Sequence, residues 1–190
     1  MSAITFRRPA LTRHALTRNA LAALAIALLA GRLALQSAVA GAVPAVGEPA
    51  PALIARQFDG QAIDLAALRG HVVVLNFWAS WCTPCRAEMP ALDALAREFQ
   101  GRGVTVIGLS ADDRHDRRDA LKAANGFHYR LGMLSDAATN EFGPPREIPL
   151  TYIIGRDGAI KAILRANQGD VSAEQLRGAV ERELARVPGT

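Results

Sequence analysis

The two cysteines of this 190-residue chain, Cys82 and Cys85, lie three positions apart within the segment WCTPC. An apolar, β-branched run at 71–79 precedes them, and a helical pattern that begins near Pro84 follows. Because the first turn of a helix has unpaired N–H groups and a partial positive charge, this position favours a thiolate over a thiol. We expect the Cys82 sulfur, at the edge of that turn, to be exposed and Cys85, one turn inside the helix, to be shielded. The spacing therefore predicts thiol–disulfide exchange, in which Cys82 attacks a substrate disulfide and Cys85 resolves the mixed disulfide.

Two other uses of a cysteine pair fit this sequence less well. A structural disulfide would close a loop of only two residues, which restrains the unfolded chain very little. A zinc site needs about four ligands. His71, His115 and His128 do not stand at spacings that form a ligand motif with the cysteines. The sequence therefore predicts a redox pair with no metal and no cofactor.

The elements around the cysteines alternate between strand and helix patterns. Buried strands are predicted at 71–79 and 104–110, and helices at 84–100 and 113–125, the first with Pro90 inside it. Hairpins are predicted around Asp59-Gly60 and Asp157-Gly158. An extended piece is predicted at 129–134 and a short helix at 136–142. A last helix begins with the capping box of Ser172 and Gln175. This order predicts an α/β fold with a central mixed β-sheet, helices on both faces and an N-terminal β-hairpin.

The first 40 residues have the pattern of an export signal. Four arginines lie within residues 1–18, the apolar run ALAALAIALLA follows at 20–30, and the small residues AVA provide a cleavage site after Ala40. A membrane anchor that is not cleaved is the alternative, although Arg32 interrupts the apolar run before the roughly 20 residues that a span needs. Both interpretations predict a periplasmic or other extracytoplasmic location, soluble after cleavage or anchored to the inner membrane by residues 20–40.

The charges of the chain are distributed unevenly between its predicted parts. The signal peptide or membrane anchor at 1–40 carries five arginines and no acid, whereas the rest of the chain has 17 basic and 18 acidic residues, a net charge of −1. A linker rich in proline and glycine is predicted at 41–51, and the folded domain at 52–190. Because that domain has no excess of basic residues, we predict no nucleic-acid partner.

The segment FWASWCTPCRAEMP at 77–90 resembles the active-site segment of the TlpA/ResA/DsbE group of extracytoplasmic thioredoxin-like proteins. The resemblance also includes EPAP at 48–51 and IPLTYII at 148–154, and it extends over nearly all of 47–187. It implies that residues 52–190 form a thioredoxin-like domain. It also implies an enzyme that reduces protein disulfides with electrons from a thiol protein in the membrane. A narrower substrate class is apocytochrome c, whose cysteines are reduced before haem attachment.

The resemblance also implies roles for residues outside the cysteine pair. Pro149 is expected in the cis form beside the cysteines, with the backbone at Ile148 pairing with an extended substrate segment. A trans proline that begins an edge strand is the alternative. Trp81 and Pro84 complete the predicted substrate-binding set, Trp81 as a partly exposed wall beside the sulfurs.

Glu88 is the third predicted catalytic residue. It lies one helical turn after Cys85, where a carboxylate near a shielded thiol can move its proton and have its own pKa raised. A solvent-exposed helix glutamate is the other interpretation, and the CxxCxxE pattern of the resembling group favours the proton role. Asn76 stands where thioredoxins usually carry a buried aspartate, and because an amide does not titrate at neutral pH, the proton role shifts towards Glu88.

Two other classes of function stay open on the sequence. A thiol peroxidase of this fold uses a T-x-x-C motif followed by a glutamate, but Cys82 takes the place of the threonine relative to Cys85 and Glu88. A dithiol metal-binding chaperone is the alternative that is not an enzyme, although copper-carrying relatives of this fold use a wider cysteine spacing. The charged pair Arg146 and Glu147 is predicted either to touch the substrate or to form a solvated ion pair.

Overall fold

The computed structural model describes residues 44–165 and 172–186, in which strands and helices alternate. The strands are β1 (Leu53–Arg56), β2 (Ala62–Asp64), β3 (Val72–Trp78), β4 (Val104–Ser110), β5 (Arg130–Met133), β6 (Thr139–Asn140), β7 (Leu150–Ile154) and β8 (Ile160–Arg165). The α-helices are α1 (Thr83–Glu98), α2 (Arg117–Ala124) and α3 (Ala173–Ala185). Single-turn 3-10 helices lie at Ala66–Leu68, Arg114–Asp116 and Leu134–Asp136.

A five-stranded mixed sheet is the centre of the fold, with the strand order β5-β4-β3-β7-β8. The strands β3, β4 and β5 are parallel, whereas β7 pairs antiparallel with both β3 and β8. Every residue of β3 is buried, because both faces of this central strand are covered. The segment with the two cysteines therefore begins from a strand that is buried along its whole length.

All the α-helices in the described residues pack on one face of this sheet. On that face, Val74 and Trp78 of β3 belong to a cluster that also contains Leu92 of α1, Ala120 of α2 and Leu176 of α3. The units β3–α1–β4 and β4–α2–β5 are right-handed crossovers that move across the sheet in the same direction, so both place their helix on the same side.

The opposite face is covered by strands. A three-stranded sheet of order β2-β1-β6 lies there, and Leu53 and Ile63 of that sheet pack in a second cluster with Leu75 and Phe77 of β3. The predicted central mixed sheet is present, but this face carries the small sheet and single-turn 3-10 helices in place of an α-helix. The predicted N-terminal hairpin, formed by β1 and β2, is part of this cover.

The segment predicted as a short helix at 136–142 folds differently. Its residues Thr139–Asn140 form β6, which pairs antiparallel with Leu53 and Ile54 of β1. The helix prediction is wrong because tertiary pairing overrides a weak local preference in so short a segment. By contrast, the β7–β8 hairpin and the Ser172 capping box form as predicted, because turn and cap residues act on their immediate neighbours.

The predicted signal peptide or anchor at 1–40 lies outside the described residues. The described part of the predicted linker is hydrogen-bonded to the β7–β8 hairpin, with Gly47 N donating to Ile160 O at 2.8 Å and Ala50 N donating to Gly158 O at 2.9 Å. Among the described residues, no helix combines the length and the apolar character needed to cross a membrane. The predicted domain boundaries stay predictions.

Candidate active site

The cysteine pair begins helix α1. Cys82 is the N-cap of the helix, with an extended backbone, and Thr83 and Pro84 are its first residues. Proline is tolerated there because the N–H groups of the first turn have no partner within the helix. Cys82 and Cys85 form a disulfide with a Cα–Cα distance of 5.2 Å. The N–H of Cys85 donates to Cys82 Sγ at 3.2 Å, so the start of the helix directs a hydrogen-bond donor at this sulfur.

The two cysteines differ less in exposure than the sequence predicts. Cys82 is 5% exposed and Cys85 is 1% exposed, so the expected accessible sulfur is almost covered in the disulfide state. The cause is that Cys82 packs in the same apolar cluster as Cys85 and Met89. Trp81, in contrast, is 69% exposed, which is more than the partly exposed wall that we expected. Pro84 is exposed as well.

Ile148 and Pro149 lie at the same end of the sheet as the cysteines. The Ile148–Pro149 peptide bond is cis, as the resemblance implies. Pro149 directly precedes β7, whose first residue Leu150 pairs with Phe77 near the end of β3. Because the cysteines follow the carboxyl end of β3, the cis proline and the disulfide lie at the same end of the sheet.

A cleft of about 650 Å³ opens beside this end of the sheet. Trp81 and Ile148 line it, together with the charged residues at 146–147. The structure therefore brings two of the predicted substrate-binding residues, Trp81 and Ile148, to one surface. Pro84 and Pro149 lie outside the lining of this cleft.

Glu88 is a buried residue of α1 with 6% exposure, so the interpretation as a solvent-exposed glutamate is wrong. The Thr151 hydroxyl donates to Glu88 Oε1 at 3.4 Å and accepts a hydrogen bond from Asn76 Nδ2 at 2.9 Å. Burial raises the pKa of Glu88 to about 7, and the hydrogen bond from Thr151 lowers it by a smaller amount. A carboxyl group one turn from Cys85 that titrates near neutral pH is suited to proton transfer.

Asp112 holds the segment that leads into the cysteines, a role that the sequence pattern did not indicate. Its side chain is buried and accepts hydrogen bonds from Ser80 N and Ser80 Oγ, both at 2.8 Å, and from Ser110 Oγ. Ser80 stands two residues before Cys82. An acidic residue two positions after a buried parallel strand is the signal that could have found it, since the carboxyl ends of parallel strands lie at the same end of a sheet.

Changing Asp112 to alanine is expected to lower the free energy of unfolding by about 2–3 kcal/mol, because several donors lose a charged acceptor. Urea unfolding of the oxidised protein measures this change. The matched control is Asp113→Ala, whose side chain is 80% exposed and pairs with His115 at 3.8 Å. This control is expected to change stability by less than about 0.5 kcal/mol. Equal effects of the two variants would contradict the anchoring role of Asp112.

Metal ligands do not gather around the cysteine pair within the described ranges. No group of three or more His, Cys, Asp or Glu side chains there is placed to hold an ion. His71 Nδ1 lies 3.4 Å from Thr105 Oγ1, and His128 lies beside Asp93. The absence of a metal and of a cofactor stays a prediction.

A CxxC disulfide that caps the helix after the central strand, beside a cis proline, defines a thiol–disulfide oxidoreductase of the thioredoxin type. The family model described as the AhpC/TSA family matches residues 46–163, and the chain belongs to this family. The thiol–disulfide oxidoreductase ResA of Oceanobacillus iheyensis is 32% identical over 147 residues, which cover 70% of this chain and 70% of that protein. ResA of Bacillus cereus is 30% identical over 141 residues, covering 72% of this chain and 78% of the relative.

Solved structures share the same fold. The crystal structure of a putative thiol:disulfide interchange protein DsbE from Chlorobium tepidum has a TM-score of 0.63 and 23% identity, covering 75% of this chain and 99% of that one. The solution structure of a putative protein disulfide isomerase from Bacteroides thetaiotaomicron has a TM-score of 0.61 and 28% identity, covering 76% and 92%. The predicted thioredoxin-like α/β fold is confirmed, and so is the predicted activity of a thiol–disulfide oxidoreductase.

Proposed function

We propose that this enzyme reduces the disulfides of other proteins, with Cys82 as the nucleophile and Cys85 as the resolving cysteine. The observation that carries the proposal is the placement of the pair at the start of α1. Cys82 is the N-cap and accepts the N–H of Cys85 at 3.2 Å, whereas Cys85 lies within the first turn and is buried. After reduction, the N–H groups and the partial positive charge of the helix start stabilise a thiolate at Cys82.

The exchange takes place in two steps. The Cys82 thiolate attacks one sulfur of the substrate disulfide, so that a Cys82–substrate bond forms and the second substrate sulfur leaves as a thiolate. Cys85 then loses its proton and attacks the Cys82 sulfur. This step forms the Cys82–Cys85 disulfide and releases the first substrate sulfur as a thiolate. Two electrons pass from the enzyme dithiol to the substrate.

Glu88 is the proposed proton acceptor for Cys85. The support for this role is its burial one turn after Cys85, which raises the pKa of Glu88 to about 7. A base with this pKa is ionised in an appreciable fraction of molecules at neutral pH and accepts a thiol proton without a large energetic penalty. Asn76, which takes the place of the aspartate in thioredoxins, holds the Thr151 hydroxyl that donates to Glu88.

The proposed substrate surface is the cleft that Trp81 and Ile148 line. An extended substrate segment pairs with the backbone at Ile148, and Pro149, which lacks an N–H, ends this pairing. The exposed indole of Trp81 packs against the substrate next to its cysteine, and Pro84 contacts it from the start of the helix.

We also propose that the enzyme works outside the cytoplasm. The arginine-rich start, the apolar run at 20–30 and the small residues before position 41 support export, with the signal cleaved after Ala40 or kept as an inner-membrane anchor. Because extracytoplasmic compartments are oxidising, a reductant there needs a continuous supply of electrons. A thiol protein of the membrane is the proposed donor.

The reduction potential of the Cys82–Cys85 pair tests the direction of electron flow. Equilibration of the protein against dithiothreitol and glutathione buffers, followed by thiol alkylation, measures it. The expected value is about −230 mV or lower, in the range of thioredoxin-like reductants. A value near about −120 mV is typical of enzymes that introduce disulfides, and it would make the proposed direction wrong.

A further inference from the structure

Four buried polar atoms on the helix-covered face of the sheet lack a hydrogen-bond partner among the described residues. They are Asn76 Oδ1, Trp78 Nε1, Glu88 Oε2 and the Tyr129 hydroxyl. Each belongs to a side chain that is more than nine-tenths buried. Buried polar groups in proteins almost always bond to a protein group or to an ordered water molecule. A cluster of such atoms therefore indicates a site for water.

Thr151 shows that two of these side chains lie together. Its hydroxyl oxygen accepts a hydrogen bond from Asn76 Nδ2 at 2.9 Å and donates to Glu88 Oε1 at 3.4 Å. One oxygen of Glu88 and one nitrogen of Asn76 are therefore joined through the same hydroxyl group. The second oxygen of each side chain is the one without a partner among the described residues.

Gly108 shows that the other two side chains meet beside Asn76. It pairs with Asn76 across β3 and β4. A methyl group at Gly108 would lie 2.9 Å from the Tyr129 ring and 3.3 Å from Trp78 Nε1. The side chains of Tyr129 and Trp78 therefore pack against the bare Cα of Gly108, which places the phenol ring and the indole N–H beside the Asn76 amide.

The chemistry of the four atoms suits a water molecule. The Trp78 indole only donates and Asn76 Oδ1 only accepts, whereas the Tyr129 hydroxyl does both, and Glu88 Oε2 accepts or donates according to its protonation. An internal water molecule needs about two to four such partners. A water molecule that bonds to both Glu88 and Tyr129 would also provide a path for a proton between the two side chains.

Tyr129 connects this cluster to the surface. Burial raises the pKa of Tyr129 most, and the charges of Glu88 and of Asp93 raise it further, so Tyr129 lies near both carboxylates and stays protonated. Asp93 is buried, but it accepts the backbone N–H of His128 at 2.7 Å and pairs with Arg97 at 2.7 Å. The side chains of His128 and Arg97 are exposed to solvent.

The surface at Asp93 and His128, where a proton would leave the protein, lies away from the substrate cleft. Tyr129 and His128 line a separate surface cleft of about 320 Å³, together with Phe58 and Leu121. In the mixed disulfide, substrate would cover the surface at Trp81. A proton taken from Cys85 then needs a way out that the substrate does not block.

We propose that Asn76, Trp78, Glu88 and Tyr129 enclose a structural water site, and that Tyr129 passes the proton of Glu88 to the surface at Asp93 and His128. Cys85 gives its proton to the Glu88 carboxylate, and the protonated Glu88 gives a proton to the water. The Tyr129 hydroxyl has no direct hydrogen bond to Asp93, so its oxygen accepts one proton as its own proton leaves through a second water molecule towards Asp93 and solvent. One proton is released and no charge stays on Tyr129. This inference rests on the proton role proposed for Glu88.

The test is the rate of the resolving step in Tyr129→Phe, which keeps the ring and removes the hydroxyl. Reduced enzyme is mixed with a model peptide disulfide, and the decay of the mixed disulfide is followed against pH, in H₂O and in D₂O. The expected result is a decrease of about tenfold, smaller than the 100- to 10,000-fold effect of a group that touches the reacting atoms, together with an altered solvent isotope effect. The titratable groups that face Tyr129 are Glu88 and Asp93, and the side chain of His128 lies at the surface beside Asp93.

The matched control is Tyr152→Phe, which removes a phenol hydroxyl in the cluster on the opposite face of the sheet. It is expected to keep the rate, pH profile and isotope effect of the unchanged protein. Unchanged values in Tyr129→Phe overturn the route through Tyr129. If Glu88→Gln alters the pH profile in the same series, the proposed role of Glu88 stands; if Glu88→Gln also has no effect, that role fails too.

A second measurement tests the water site without any substitution. Nuclear Overhauser effects from water to the indole N–H of Trp78 are recorded in the oxidised, full-length protein. A direct cross-peak to this buried N–H is expected, and the exposed indole of Trp81 serves as the reference for bulk solvent. Absence of the cross-peak at Trp78 overturns the proposal, even if Tyr129→Phe does not fold.

Discussion

Replacing Cys82 by serine is expected to lower disulfide-reductase turnover below about 0.1% of that of the unchanged protein, because a serine hydroxyl stays protonated and forms no disulfide. The change is nearly isosteric, and Cys82 lies at the N-cap, where serine is itself a favoured residue. The loss is therefore chemical and not structural. Reduction of insulin with dithiothreitol as the electron source measures turnover, and circular dichroism verifies the fold.

The matched variant Cys85→Ser separates the two steps of the exchange. It keeps the attacking sulfur, so the first step proceeds, but the mixed disulfide accumulates because no resolving thiol follows. The trapped complexes identify the substrates by mass spectrometry. Capture of apocytochrome c would assign the narrower function in cytochrome maturation, whereas a varied set of exported proteins would indicate general reduction. Normal turnover in Cys82→Ser, or no trapped complex in Cys85→Ser, would contradict the assigned roles.

Changing Glu88 to glutamine is expected to remove a pH dependence of stability that the buried carboxyl group creates. Burial raises the pKa of Glu88 from 4.5 to about 7, so the unfolded chain releases this proton at a lower pH than the folded protein does. The stabilising contribution is fully present below about pH 4.5 and is lost as the pH rises through about 7. The difference between the two pKa values corresponds to about 3 kcal/mol at pH 8.

Urea unfolding of the oxidised protein at about pH 4 and about pH 8 measures this effect, since the disulfide does not titrate. Between these values the unchanged protein is expected to lose about 3 kcal/mol more of its free energy of unfolding than Glu88→Gln does. The control Glu181→Gln changes an exposed glutamate of α3 and is expected to keep the full pH dependence. The same pH dependence in Glu88→Gln and in the unchanged protein would show that Glu88 is not held protonated by burial.

Asp112 and Glu88 support the cysteine pair from two directions. Asp112 holds Ser80, and with it the segment that enters the site from β3. Glu88 is the buried titratable group on the other side of the pair in the chain, one turn after Cys85 in α1. We expect changes at Asp112 to alter stability, and changes at Glu88 to alter the pH dependence of stability and of the resolving step. Comparison of the two variants therefore separates positioning from proton transfer.

The sequence by itself determined the position and chemistry of the redox pair. The β-branched run before it, the cysteine spacing and the proline at the helix start are local signals, and β3 and α1 form where these signals predict. The hairpins and the Ser172 capping box are equally local, because turn and cap residues bond to neighbours a few positions away. The segment at 136–142 was predicted wrongly because its partner, β1, lies far away in the chain.

Only the tertiary structure decided what surrounds the sulfurs. Thr151 meets Glu88 across 63 positions of the chain and Asn76 across 75, and Asp112 meets Ser80 across 32. Such contacts depend on which strands are neighbours and in which register, and no local pattern encodes either. The same packing buries Glu88 and covers Cys82, because the pairing of the strands and the handedness of the two crossovers place α1 and α2 on the face where α3 also packs.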